Sequence, residues 1–321
     1  MGIIIRLKSI LNLYRRFRKN QEKFKSSNIR YYDFWALSRS EDCWFTQFIE
    51  HRNINANHKK INFFSVYGDP KTSLFAGSPK IFFTGENIFT PTFPAHYRYQ
   101  KSYLKNYNLS LGFNYLAHDK YLRFPLWILY IIPPDADFAT IKNLIDSYNN
   151  PQHRKSEARW QFCANISRHD AGGIRKKLIE LLSPIETVSC PGSFLKNTDE
   201  LQDKYNDDKI AYLKTFKFNI CPENSDDNGY VTEKLLEAIV SGSIPIYWGS
   251  NNKPEPAIIN PEAVLFFDPE NPQNLYNKVR LLWDDKAAFE EFCSIKPFTE
   301  DAAEVIWEWL NALQSQIEDL I

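Results

Sequence analysis

The chain has 321 residues, long enough for two domains of ordinary size, each with a substantial core. Its 39 basic and 39 acidic side chains cancel, so no global field recruits nucleic acid. The five cysteines are scattered and odd in number. They suggest neither a disulfide framework nor a CxxC metal site, and they fit a reducing, cytoplasmic compartment.

Residues 3 to 24 place Ile3, Leu7, Ile10, Tyr14, Phe17 and Phe24 on one helical face, while Arg6, Lys8, Arg15, Arg16, Arg18, Lys19, Lys23 and Lys25 supply the polar side. This basic amphipathic leader, residues 1–25, has two readings. It lies peripherally on an anionic membrane surface, such as the inner face of the cytoplasmic membrane, or it docks on its own domain or a second subunit. No run approaches the roughly 18 apolar residues that span a bilayer, and the start lacks a signal-peptide core.

Strands are expected over 28–35, 60–68 and 80–85, with a helix over 42–51, and the apolar run 125–133 belongs in a core. Alternating strands and helices imply a parallel sheet with helices on its faces. The polar stretch 150–157 breaks the pattern and marks a domain junction, giving an N-terminal domain over 26–155 and a C-terminal one over 156–302. In the second half, 162–168 reads as a strand delivering Asn165, Ser167 and Arg168 to its tip before a helix near Ile174. Phe216, Phe218 and Ile220 alternate as a half-buried strand. A polar turn, a helix from Val231 ended by Gly242, and a strand from Ile244 complete a βαβ unit.

The ligand edge of such a unit lies where strands end and helices begin. There the sequence sets Asn224, Tyr230, Glu233 and Lys234. A helix N-terminus beside an ammonium attracts phosphate. Glu233 would repel a bare phosphate but accepts two neighbouring hydroxyls, so a nucleotide with its ribose suits both. A solvated helix start with one ion pair is the plainer reading of Thr-Glu-Lys alone.

The block from Phe216 to Gly249, with its Glu-Asn, Tyr-Val-Thr-Glu-Lys and Ile-Pro-Ile-Tyr-Trp-Gly, resembles the signature of the α1,3/4-fucosyltransferases of glycosyltransferase family 10. Pro222 departs from the family's more usual aromatic or small residue. Phe82-Phe-Thr-Gly-Glu-Asn87 is similar to the family's Tyr/Phe-Thr-Gly-Glu-Asn, whose glutamate is the proposed general base, and Tyr121-Leu-Arg-Phe-Pro125 is similar to its Tyr-Leu-Arg-x-Pro. The resemblance implies an α/β fold, two Rossmann-like domains facing across a cleft (GT-B type), with the tail 303–321 crossing back as a helix. It implies Glu86 as base, Arg175 on the diphosphate, and Ser167, Asn224, Tyr230, Glu233 and Lys234 around GDP-β-L-fucose. Transfer with inversion to the N-acetylglucosamine of a lactosamine-type glycan, at the 3- or 4-hydroxyl, needs no metal or other cofactor. The missing membrane stem and the Asn-, Lys- and Ile-rich composition point to the bacterial type, with a lipopolysaccharide-like surface glycan as product. Two rivals stand beside this reading: a manganese-dependent transferase using Asp135-Ala-Asp137 as its DxD, and a catalytically silent nucleotide-sugar or glycan binder.

Overall fold

The computed structural model describes residues 2–54 and 59–321, with side chains from Leu7 onward. Ile3 and Arg6 of the predicted leader face therefore lie outside the described side chains. The chain forms two compact units: unit 1 is Met1–Ala136 with Glu308–Ile321, and unit 2 is Asp137–Trp307.

Unit 1 holds strands β1 (Ile29–Tyr32), β2 (Ile61–Phe64), β3 (Lys80–Phe83), β4 (Leu109–Gly112) and β5 (Tyr121–Arg123), with helices α1 (Gly2–Lys23), α2 (Trp44–His51), α3 (Pro94–Tyr97) and α4 (Ile128–Ile131). The strands are parallel and stand in sequence order, β1-β2-β3-β4-β5. Both faces carry apolar side chains, as expected of a parallel sheet covered on each side. On one face Tyr32, Phe64 and Phe82 share a register and pack with Tyr99 and Tyr107. On the other, Tyr31 and Phe63 meet Phe45 of α2.

The leader is helical and docked. Leu13, Phe17 and Phe24 are buried, and the Phe17 ring stacks on Tyr32 with centroids 4.9 Å apart. Leu7, Ile10, Leu11 and Tyr14 stay exposed along a neighbouring stripe.

Unit 2 holds β6 (Gln161–Ala164), β7 (Val188–Ser189), β8 (Phe216–Ile220), β9 (Ile244–Tyr247) and β10 (Leu265–Phe266). Its helices are α5 (Phe138–Asn149), α6 (Pro151–Arg154), α7 (Ile174–Leu182), α8 (Glu200–Tyr205), α9 (Lys209–Leu213), α10 (Glu233–Ser241), α11 (Pro272–Asp284) and α12 (Lys286–Cys293). These strands are parallel too, but ordered β7-β6-β8-β9-β10. After β6 the chain steps to one side for β7 and then returns to the other side for β8. That reversal puts a topological switch point between β6 and β8, where open α/β sheets bind ligands.

The division between units falls at Ala136–Asp137, well before the polar stretch 150–157 where composition suggests a junction. That stretch is bound into unit 2. Asn150 caps α6 by accepting from the Gln152 amide, and buried Arg154 donates to the carbonyls of Ile295 and Ala263. Asn149 exchanges two hydrogen bonds with the Phe298 backbone. The tail forms α13 (Ala302–Glu318), of which the part from Glu308 onward belongs to unit 1. No helix among the described residues is long and apolar enough to cross a membrane.

Candidate functional site

The strand ends of unit 2 converge at the switch point. Glu223, just past β8, has no exposed side-chain surface. One carboxylate oxygen accepts from the Thr232 amide at 2.7 Å, and the other accepts from the Thr232 hydroxyl at 2.7 Å and from the Lys234 ammonium at 3.2 Å. Lys234 also donates to Thr232 Oγ1 at 2.6 Å and lies 3.5 Å from Glu233. Burial alone would lower the Lys234 pKa, but Glu223 and Glu233 push it up, so the ammonium stays charged. Burial works against ionisation of Glu233 as well, yet Lys234 and the adjacent backbone hold its carboxyl below the usual range.

The Thr232–Glu223 bond has a local consequence. A threonine at the N-cap ordinarily accepts from the helix's first-turn amides, but Thr232 makes no such cap at α10. The N-terminal amides of α10 are thus left without a side-chain cap beside a charged lysine, the arrangement that binds anions. At α7 the opposite holds. Asp170 accepts from the amides of Arg175 and Lys176, at 3.2 and 2.9 Å, so that helix start is already occupied by a carboxylate.

Arg175 is more deeply engaged than its place at a helix start suggests. Its guanidinium is 4% exposed and donates to the Pro222 carbonyl and to Asn224 Oδ1, each at 3.0 Å. Burial lowers its pKa, with Asp170 and Glu223 opposing. Arg175 therefore ties the loop after β8 to α7, and it shares with Lys234 the lining of a cavity of about 30 Å3. Ser167, buried after β6, donates to Asn165 Oδ1 at 2.6 Å, while Asn165 reaches the Ile220 carbonyl of β8. Tyr230, three residues before α10, is 1% exposed. The structure thus brings Arg175, Asn224, Glu233 and Lys234 together and buries Ser167 and Tyr230. In the sequence Glu223 stands out only as part of the Glu-Asn motif; a glutamate three residues past an alternating strand is the signal it leaves.

Glu86 lies in unit 1, on the turn after β3. The buried Thr84 hydroxyl accepts from the Glu86 amide at 3.1 Å and donates to its carbonyl at 2.7 Å, locking the turn. A side chain at Gly85 would press on the Leu126 side chain, which would have to shift to admit it. Glu86 is half-buried, and one oxygen accepts from the Tyr67 hydroxyl, after β2, at 3.2 Å. Burial and the facing Glu86 carboxylate push the Tyr67 pKa up, which keeps the phenol a donor. Of the rival Asp135-Ala-Asp137, Asp137 has a structural task, accepting from the Thr140 amide at 2.7 Å to cap α5. Asn108 and Asn165 likewise serve the backbone, accepting from the Lys80 amide and donating to the Ile220 carbonyl.

A parallel α/β fold with a polar, cation-bearing switch point defines a nucleotide-binding class, and sequence comparison narrows it. The alpha-(1,3)-fucosyltransferase FucT N-terminal domain model matches residues 29–130, and the glycosyltransferase family 10 (fucosyltransferase) C-terminal model matches residues 152–312. The chain belongs to glycosyltransferase family 10, the fucosyltransferases. It is 28% identical to alpha-(1,3)-fucosyltransferase FucT of Helicobacter pylori over 250 residues, 68% of this chain and 47% of that protein. It is similar in fold to a crystal structure of an alpha1,3-fucosyltransferase, with a TM-score of 0.59, 20% identity and 89% of each chain covered. An alpha1,3-fucosyltransferase crystallised with GDP-fucose aligns with a TM-score of 0.53 and 24% identity, over 80% of this chain and 78% of that one. The fold is that of two Rossmann-like α/β units of GT-B type. The chain spans about half the length of the curated relatives it matches.

Proposed function

We propose that the protein transfers L-fucose from GDP-β-L-fucose, with inversion, to the 3- or 4-hydroxyl of N-acetylglucosamine in a lactosamine-type glycan. The observation that carries this reading is the meeting of Arg175, Asn224, Glu233 and Lys234 at the β6–β8 switch point of a family 10 member. Inversion requires a single displacement. The acceptor hydroxyl attacks the anomeric carbon from the face opposite GDP, its proton passes to Glu86, and the C–O bond to the diphosphate breaks. Negative charge grows on the leaving diphosphate, and Lys234, Arg175 and the uncapped amides of α10 stabilise it. Glu233 accepts the ribose hydroxyls, and Ser167, Asn224 and Tyr230 shape the donor pocket. The scheme has no step that calls for a metal. The enzyme works on the cytoplasmic side of a bacterial membrane, held peripherally by α1.

Glu86→Gln tests the assignment. A general base contributes about 10²–10⁴-fold, so turnover should fall by that order while GDP affinity stays near wild type. Near-normal turnover would remove Glu86 from the mechanism, and a matching loss of GDP binding would recast it as a donor ligand.

A further inference from the structure

In unit 1, α1 and the segments that follow β1 and β2 line two cavities. One, of about 770 Å3, has walls that include Lys19, Lys23, Asp33 and Trp35. The other, of about 570 Å3, reaches Lys8, Asp69 and Arg98. Arg16 and Tyr67 line both, and the Tyr67 hydroxyl is the donor to Glu86. The carboxylate read as the base is thus one hydrogen bond from a chamber of ligand-binding size.

The walls say what kind of ligand suits it. Trp35 and Tyr67, with ring centroids 6.0 Å apart, offer aromatic faces to a sugar ring. Around them the charge is mainly positive. Arg16 is paired with Asp33 at 3.3 Å and Lys25 with Glu22 at 2.6 Å. Among the described residues Lys23 and Arg98 donate only to the backbone carbonyls of Leu37 and Gly68, which do not neutralise them. Lys8 and Lys19 join no ion pair among the described residues. A neutral disaccharide has no use for such an excess, whereas a phosphate group offers several acceptor oxygens and up to two charges to a cluster of this kind.

We infer that this chamber is the acceptor subsite and that the acceptor saccharide carries a phosphate, held by Arg16, Lys19 and Lys23 while a hydroxyl of the sugar meets Glu86. The inference rests on the proposed transfer and specifies its second substrate. The phosphate is either a soluble sugar phosphate or the diphosphate of a lipid-linked glycan.

The test titrates the full chain calorimetrically, without donor, against N-acetyllactosamine, its 1-phosphate, and the same disaccharide on a lipid diphosphate in neutral detergent. The soluble phosphate form should bind about tenfold tighter than the neutral sugar at low salt, with the advantage shrinking as salt rises. Lys19→Ala combined with Lys23→Ala should remove most of that gain. Tightening confined to the lipid-linked form, and lost in the same double variant, supports the phosphate site and names the lipid as its source. Equal affinity for all three ligands, or an advantage that survives the double variant, overturns the inference. Because no donor is present, a protein that binds this way yet transfers no fucose would strike the proposed function and leave the subsite standing.

Discussion

Glu223 has both carboxylate oxygens committed to Thr232 and Lys234 in a place without solvent. A buried carboxylate is tolerable only when paired and fully hydrogen-bonded, and here the pairing also fixes where the ammonium stands. Removing one partner of a buried pair costs about 3–5 kcal/mol. Lys234 keeps Glu233 and is 22% exposed, so the lower end, about 3 kcal/mol, is expected for Glu223→Ala. For a chain of this size each kcal/mol moves the midpoint by roughly 2–4 °C, so calorimetry should show Tm falling by roughly 6–12 °C. An unchanged Tm would mean that Glu223 does not anchor the site.

At the scale of elements, α10 joins the proposed donor site at its start to a structural knot at its end. Gly242 closes the helix with φ 81°, and a side chain there would strike the Arg159 guanidinium and the His153 carbonyl. The His153 ring lies 3.2 Å from the Ile239 carbonyl of the same helix, and burial lowers its pKa below the ordinary 6.5, with that carbonyl opposing. Below about pH 6.5 an unfolded His153 takes up a proton that the folded one refuses. The unfolded state then binds more protons, so stability is full above that pH and declines as pH falls toward the folded value. Thermal melts between pH 8 and 5 should show this decline flattened in His153→Gln; equal slopes in both proteins would refute it. Much of α10 was legible beforehand because its signals are local: helical spacing of Leu235, Leu236 and Ile239, then a glycine where the backbone turns left-handed. The helix was read from Val231 but begins at Glu233, because Thr232 serves Glu223 across the turn. The stretch 150–157 misled for a related reason. Arg154 looks like linker charge in the sequence, yet it is buried and donates to carbonyls distant in the chain. Pairings of that kind leave no periodic trace.

Across the whole molecule the two sheets differ in how openly they declare a site. The strand reversal in unit 2 points to one crevice, while unit 1 runs in order from β1 to β5 without such a reversal; there the proposed base Glu86 is singled out by its Thr-Gly turn and the family resemblance. Unit 1 instead carries α1, which presents two apolar stripes. Leu13, Phe17 and Phe24 face the sheet, which answers to the docked reading of the leader. Leu7, Ile10, Leu11 and Tyr14 recur at i, i+3, i+4 and i+7 along an exposed stripe, beside exposed Lys8, Arg15, Arg18 and Lys19. A helix can therefore dock on its own unit and still offer an apolar, cation-flanked face to anionic lipid. The full chain should sediment with phosphatidylserine-containing vesicles at low salt and be partly released near 1 M salt, where screening shrinks to about 3 Å. Leu7→Asp with Leu11→Asp should abolish binding even at low salt, since the apolar stripe supplies the insertion and the lysines and arginines only the attraction. Wild-type protein that stays in the supernatant at low salt would assign the second stripe to something other than a membrane.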